Sequence, residues 1–366
     1  MTASSLLLLC SLAVVAIMGL VALSIASART WRVRHRRRTA ALIRPLRPVL
    51  IELAGGDEPD PSLVRLLAGL RPASWRAIRP VILDLCAKLT DGSAEAVRAV
   101  LVERGEVRQA LQNVTHRSAR VRAQAVTVLE LVPQPDSRKA LLELLGDEDI
   151  DVRRMAARAL GTIGDETAIP PLIAALAGRR PVPASTVGHC LIRLGPIAVE
   201  ALVLTLRIHL SVSARVLAAQ VLGHIGDPAA VPGLLAVLDR PLDLRYWPAR
   251  VAAARALGEI GSPAGVPILI EGLGAPDPAL IIACIEALAE TGAVGAVADL
   301  SLLLHHREPS VTKAAANALS RLGVDGRLEL CTVGATTPET APFVAEALAR
   351  AELSRPRVGT PAHVGC

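Results

Sequence analysis

Eight histidines and six cysteines are among the side chains of this 366-residue chain that could ligate a metal or attack an electrophile. Their spacing gathers none of them into a site. Chelation from one element needs partners on one helical face, or a tight C-x-x-C turn. Cys10, Cys86, Cys190, Cys284, Cys331 and Cys366 contain no C-x-x-C and follow no regular interval. They read as buried or idle thiols of a reducing compartment, not as a zinc centre or a disulfide framework. His305-His306 is the one adjacent histidine pair, at the end of a helix before a turn. Consecutive helical side chains diverge by about 100°, so this pair reads as a helix-end cap or a solvated turn. His209 and His224 fall in different helices of one repeat, with no acid partner evident. No Ser-His-Asp set, Cys-His set or glycine-rich phosphate loop stands out. The sequence assigns no catalytic residue, no cofactor and no metal.

The elements that would have to position any site are repeats. Gly164, Gly195, Gly226, Gly261, Gly292 and Gly323 are separated by 31, 31, 35, 31 and 31 residues, and one step of 31 back from Gly164 reaches Pro133. Four residues before each anchor stands a leucine: Leu129, Leu160, Leu191, Leu222, Leu257, Leu288 and Leu319. Eight before it are Ala125, Ala156, Val187, Ala218, Ala253, Cys284 and Ala315, all small or slim. These offsets share one face of an α-helix that ends at the glycine. Each buried leucine contributes about 1.5–3 kcal/mol, and a single hairpin cannot hide its own face, so the units must stack. Pro170, Pro232 and Pro267 open a further apolar helix per repeat, proline being tolerated in a first turn. Polar turns join the two helices, with Asp149 or Asp151, Ser213 and Ser310 as expected N-caps. Aromatics at 1% of the chain suit such close aliphatic packing better than a sandwich or barrel.

Two stretches carry the pattern in full, Asp151 to Asp165 (DVRRMAARALGTIGD) and Ala249 to Gly261 (ARVAAARALGEIG). They resemble the HEAT repeat family, in particular its short-repeat branch named after the phycobilisome lyases. The resemblance implies an all-α solenoid of helical hairpins over 118–323. Residues 48–117 are expected to form divergent repeats or a cap, and 324–366 a cap helix near Glu339–Leu353 with a loose tail. In such families the arginines eleven residues before the anchor, here Arg122, Arg153, Arg215 and Arg250, form a ladder with turn acids, a structural role. The resemblance also brings enzymes into view. The di-iron hydroxylases of this fold use His-Glu pairs, and no His-Glu dipeptide occurs here. The alkylpurine glycosylases need a basic, aromatic groove, which this array lacks. A phycobilin-lyase-like or other HEAT-fold enzyme is the alternative reading, resting on fold analogy alone.

Residues 6–28 are free of charge, and as a helix they would reach about 35 Å, enough to cross a hydrocarbon core of about 30 Å. The first charge is Arg29, and Arg29, Arg32, Arg34, Arg36, Arg37, Arg38, Arg44 and Arg47 follow with no acid over 29–47. A single transmembrane helix within 1–28 is expected, and the basic juxtamembrane segment places the amino terminus outside and the repeats in the cytoplasm. A cleaved signal peptide ending at Ala26-Ser27-Ala28 is the rival, but no basic n-region precedes the apolar run. With those eight arginines set aside, 32 basic residues face 34 acidic ones, so the array itself is near neutral. No nucleic-acid partner is therefore expected.

One repeat departs from the period. The four extra residues before Gly261 fall in 240–248, which holds Arg245, the only tyrosine, Tyr246, and one of three tryptophans, Trp247. Aromatics beside an arginine are typical of interface hot spots, and these three are the candidate partner-binding residues. Packing of Trp247 over the inter-helix groove is the competing reading. The expected function is a membrane-tethered scaffold that binds a protein partner, such as a membrane-bound enzyme or complex, through the surface made by the second helices and without catalysis.

Overall fold

A computed structural model describes residues 38–55, 60–89, 91–208, 211–239 and 247–353, together with seven positions between 18 and 30. No strand occurs among them. The chain forms two compact units, one up to Arg138 and the other from Lys139.

In the first unit the helices are α1 (Arg47–Gly55), α2 (Pro61–Ala68), α3 (Pro72–Lys88), α4 (Asp91–Glu103), α5 (Glu106–Asn113) and α6 (Ala119–Leu131). Helix α4 is the hub, packed against α1, α2, α3 and α5. Its Ala94, Ala96, Val97, Val100 and Leu101 are fully buried, as a helix covered on several sides requires.

Helix α7 (Pro135–Leu144) carries the boundary, and helical hairpins follow one another in the second unit. Its long helices are α8 (Ile150–Ile163), α10 (Ala184–Leu194), α12 (Val212–Ile225), α14 (Trp247–Ile260), α16 (Pro278–Glu290), α18 (Pro309–Arg321) and α20 (Ala341–Leu353). Between them lie the mostly shorter α9 (Ile169–Ala174), α11 (Val199–Ile208), α13 (Val231–Leu238), α15 (Val266–Gly272), α17 (Val297–Leu302) and α19 (Gly323–Thr336). Every leucine of the invariant column is buried, from Leu129 to Leu319. All six anchor glycines have positive φ, between 63° and 82°, the left-handed region that lets a helix stop and reverse. Pro170, Pro232 and Pro267 each sit in the first turn of a short helix.

The long helices stack on one another from α8 to α20. Small residues set how closely they approach. A Cβ added at Gly161 would lie 2.9 Å from the Cβ of Cys190, and one added at Gly258 would lie 2.6 Å from the Cα of Ala287. The glycine three before one anchor thus meets the small residue five before the next. Gly258→Ala would gain about 1 kcal/mol of helix propensity, but it forces α14 from α16. A net loss of about 1–3 kcal/mol is expected in urea unfolding. Gly295→Ala, with no heavy atom within 4 Å of the added Cβ, is the control and should leave stability unchanged within about 0.5 kcal/mol.

Several local expectations change. Asp149 does cap α8, accepting from the N–H groups of Asp151 and Val152 at 2.8 and 3.2 Å. Ser213 does not cap α12; Ser211 does, two residues earlier. Ser310 lies inside α18, because Pro309 takes the first helical position and moves the cap to Glu308. The carboxy-terminal helix expected at Glu339–Leu353 is α20, and it pairs with α19 as one more hairpin.

Most of 6–28, the expected anchor, lies outside the described residues. Those described within it, among them Met18, Leu20 and Leu23, are helical and exposed. One described run, Ala184–Ile208, is long and apolar enough to cross a membrane by length and composition. It is the α10–α11 hairpin of a repeat, broken by Gly195 at φ 63°, and Leu191, Leu194, Leu202 and Leu206 are buried in the core.

Candidate functional site

The expected arginine ladder resolves into a repeated turn. Arg122 Nη1 donates to the main-chain oxygen of His116 at 2.8 Å, and Arg153 Nη1 to that of Asp147 at 2.8 Å. Thr312, in the same column, reaches His306 O at 3.2 Å. Each donor thus serves the carbonyl six residues before it. The turn residue replies with its own side chain: His116 Nδ1, Asp147 Oδ1 and His306 Nδ1 accept from the N–H two residues on, at 3.0, 2.8 and 3.1 Å. Arg122 and Arg153 are buried and brace their turns, and Arg215 of the same column is buried too, so none of the three is presented to a ligand. His306 is likewise committed to its turn.

The cysteines divide the same way. Burial pushes the thiols of Cys86 and Cys190 up to about 11 and that of Cys284 up to about 12. They stay protonated at neutral pH, and a buried thiol is a poor nucleophile or metal ligand. Cys190 donates to Ala157 O at 3.2 Å, a contact between stacked helices. Cys331 is exposed. Among the described residues no three His, Cys, Asp or Glu side chains gather at metal-binding distance.

What the repeats do present is the outer face of the long helices. Across α10, α12 and α14 it forms an open groove of about 500 Å³. Its floor is buried and apolar, with Leu217, Val221, Ala252 and Ala256 beside Gly188, whose missing side chain makes room for Leu217. Its walls are exposed and polar, and they come from two columns. His189, Gln220 and Arg255 stand six before their anchors, and His224 and Glu259 two before. His224 Nδ1 lies 3.0 Å from Gln220 O and 3.3 Å from Glu259 Oε2, an ion pair across helices when the ring is protonated. Arg255 Nε extends the series to Glu286 Oε2 of α16 at 3.7 Å. An apolar floor with mixed-charge, hydrogen-bonding walls has the make-up of a protein-contact surface.

Of the three partner-binding candidates, Trp247 is the first residue of α14, half-buried, with the Arg250 guanidinium 5.2 Å from its ring centroid. That contact gives Trp247 a packing role. Arg245 and Tyr246 lie outside the described residues. The groove residues were missed because, apart from the arginines eleven before the anchor, only the apolar columns stood out along the repeats. The signal was the complementary one, side chains polar in repeat after repeat at six and two before the glycine.

The first unit holds a second polar constellation that sequence reading also missed. Glu106 is buried, accepting from Trp75 Nε1 at 2.7 Å and from Arg79 Nε at 2.8 Å. Arg104 lies over the Trp75 ring at 5.1 Å and donates to Ala68 O. Trp75 and Arg79 share a face of α3 one turn apart, but Glu106 comes from the start of α5.

No curated protein matches the chain. Among solved structures it is similar to Kap121p bound to Pho4p, at 14% identity, covering 83% of this chain and 41% of that one, with a TM-score of 0.49. A Kap121p mutant aligns at 14% identity over 87% and 42%, with a TM-score of 0.50. The complex of CpcE and CpcF of phycocyanin lyase from Nostoc sp. PCC7120 aligns at 22% identity over 66% and 94%, with a TM-score of 0.31. The chain spans about two fifths of the length of Kap121p. These likenesses concern the fold. A family model for HEAT repeats matches residues 106–187, 199–279, 242–320 and 266–357, well over half of the sequence. With its leucine columns buried and a glycine after each long helix from α8 to α18, the chain belongs to the HEAT repeat family.

Proposed function

We propose that this protein is a membrane-tethered scaffold that binds a protein partner through the outer face of its long helices, with no covalent bond made or broken. The observation that carries the reading is the open groove over α10, α12 and α14, an apolar floor between polar walls on a rigid stack. Trp247 opens α14, one of the three helices that form the groove, and with Arg245 and Tyr246 before it in the sequence it would extend the contact. The tether is residues 6–28, in which Met18, Leu20 and Leu23 are about two thirds exposed apolar side chains on a helix. The arginines of 29–47 hold the repeats on the cytoplasmic side and the amino terminus outside. Tethering raises the effective concentration toward a partner in the same bilayer, such as a membrane-bound enzyme or complex.

The test places a photo-crosslinking amino acid at Gln220 or Arg255, in the groove, and at Ala264, exposed in a turn, in the full chain in intact membranes. Discrete protein adducts from the groove positions alone are expected. Equal capture from Ala264, or none from the groove, would overturn the reading. Alkaline extraction should leave the chain in the membrane pellet, and its release would remove the tether.

A further inference from the structure

The same face ends in a second hollow, of about 680 Å³, formed by α16, α18, α19 and α20. Three guanidiniums line it: Arg321 at the end of α18, Arg327 in α19 and Arg350 in α20. On α12 and α14 an exposed charge meets a partner on the next helix, as His224 meets Glu259 and Arg255 meets Glu286. Here two of the three guanidiniums have no such partner. Arg350 is held by Glu346 at 2.8 Å and by Asn317 Oδ1 at 3.3 Å. Arg321 and Arg327 make no ion pair or hydrogen bond with their side chains among the described residues, and Arg327 is half-buried. A cation partly withdrawn from water without a counter-charge is unfavourable, and an anion in the hollow would relieve it.

The nearby acids are engaged elsewhere. Glu346 also bonds Lys313 Nζ at 2.8 Å, and that hydrogen bond holds its carboxyl below the usual carboxylate range. Glu286 leans to Arg255, and Glu290 has its carboxylate over Gly258 of α14. Glu329 accepts from Ser301 at 2.6 Å.

We infer that this hollow binds an acidic segment of a protein partner, Arg321 and Arg327 taking its carboxylates while the Asn317 amide offers a hydrogen bond beside an alanine floor. This rests on the scaffold reading and names the chemistry of what the scaffold holds. Carboxylate is favoured over phosphate or nucleic acid because the Glu286 carboxylate itself lines the hollow. Two free guanidiniums suit one or two single charges, whereas a polyanion would also meet that carboxylate.

The experiment selects a display library of short random peptides on the full chain in neutral detergent, then measures an enriched peptide by fluorescence anisotropy. Enrichment of Asp and Glu is expected. Arg321→Gln and Arg327→Gln should each weaken binding about tenfold, with weakening by added salt. Arg158→Gln, on α8 of the same face, should leave it unchanged. Arg321 is exposed, so its variant keeps the test valid should the half-buried Arg327 variant unfold. Enrichment without acidic residues, equal loss in the Arg158 variant, or displacement by a phosphopeptide or anionic vesicles but not by acidic peptides would overturn the inference. Groove crosslinks that persist while acidic peptides fail to bind would remove this site and leave the scaffold reading standing.

Discussion

Replacing Glu106 with alanine is expected to destabilise the first unit by about 3–5 kcal/mol, the range for breaking a buried pair by removing one member. The carboxylate is nine-tenths buried and serves two donors at once, the Trp75 indole at 2.7 Å and the Arg79 guanidinium at 2.8 Å. Alanine would leave the indole N–H, on a side chain only 5% exposed, with no acceptor, and a half-buried cation with no counter-charge. Each loss alone is worth about 1–3 kcal/mol. Glu106→Gln keeps an oxygen for Trp75 and drops only the charge, so about 1–3 kcal/mol is expected there. Amide hydrogen exchange is the appropriate readout, since repeat arrays open in parts. Protection should fall in 61–113. Equal losses for both variants would show that the hydrogen bond to Trp75 contributes little.

Leu257→Ala should cost about 2–5 kcal/mol by losing apolar burial and leaving a cavity. Leu257 is fully buried in α14, a helix stacked between α12 and α16. A Cβ on Gly265 would stand 3.6 Å from its Cβ and both methyls, so this leucine closes the space between its own long helix and the turn that leads into α15. Because neighbouring repeats stabilise one another, the loss should spread to α12 and α16 and lower protection in both. Leu302→Ala is the comparison: that leucine is 74% exposed on α17 and the change should stay within about 0.5 kcal/mol. If both variants unfold alike, the invariant column is not what binds the layers together.

The two units differ in how much of them could be read from residue order. In the second, the 31-residue period made the columns self-evident, because a position buried in every repeat tolerates few residue types. The anchor glycines were legible for the same kind of reason, since only a residue without Cβ adopts positive φ at low cost. In the first unit the spacing of 24 between Val97 and Val121 hid the pattern, and its helices pack around α4 in a way no column announces. Cap positions slipped at α12 and α18, where serines close together competed and a proline moved the start. Helix α19 went unread, although it holds Arg327 of the carboxy-terminal hollow.

Residue order by itself determined the repeat, its register, the buried columns and the near-neutral charge of the array beside a strongly basic segment. These are properties of single helices, and periodicity records them directly. Tertiary structure decided which charges meet. His224 finds Glu259 and Arg255 finds Glu286 because the glycine and alanine columns set adjacent helices close enough, while Arg321 and Arg327 are left facing an open hollow. A sequence gives each side chain a face on its own helix. The neighbour that face meets depends on how the next helix stacks.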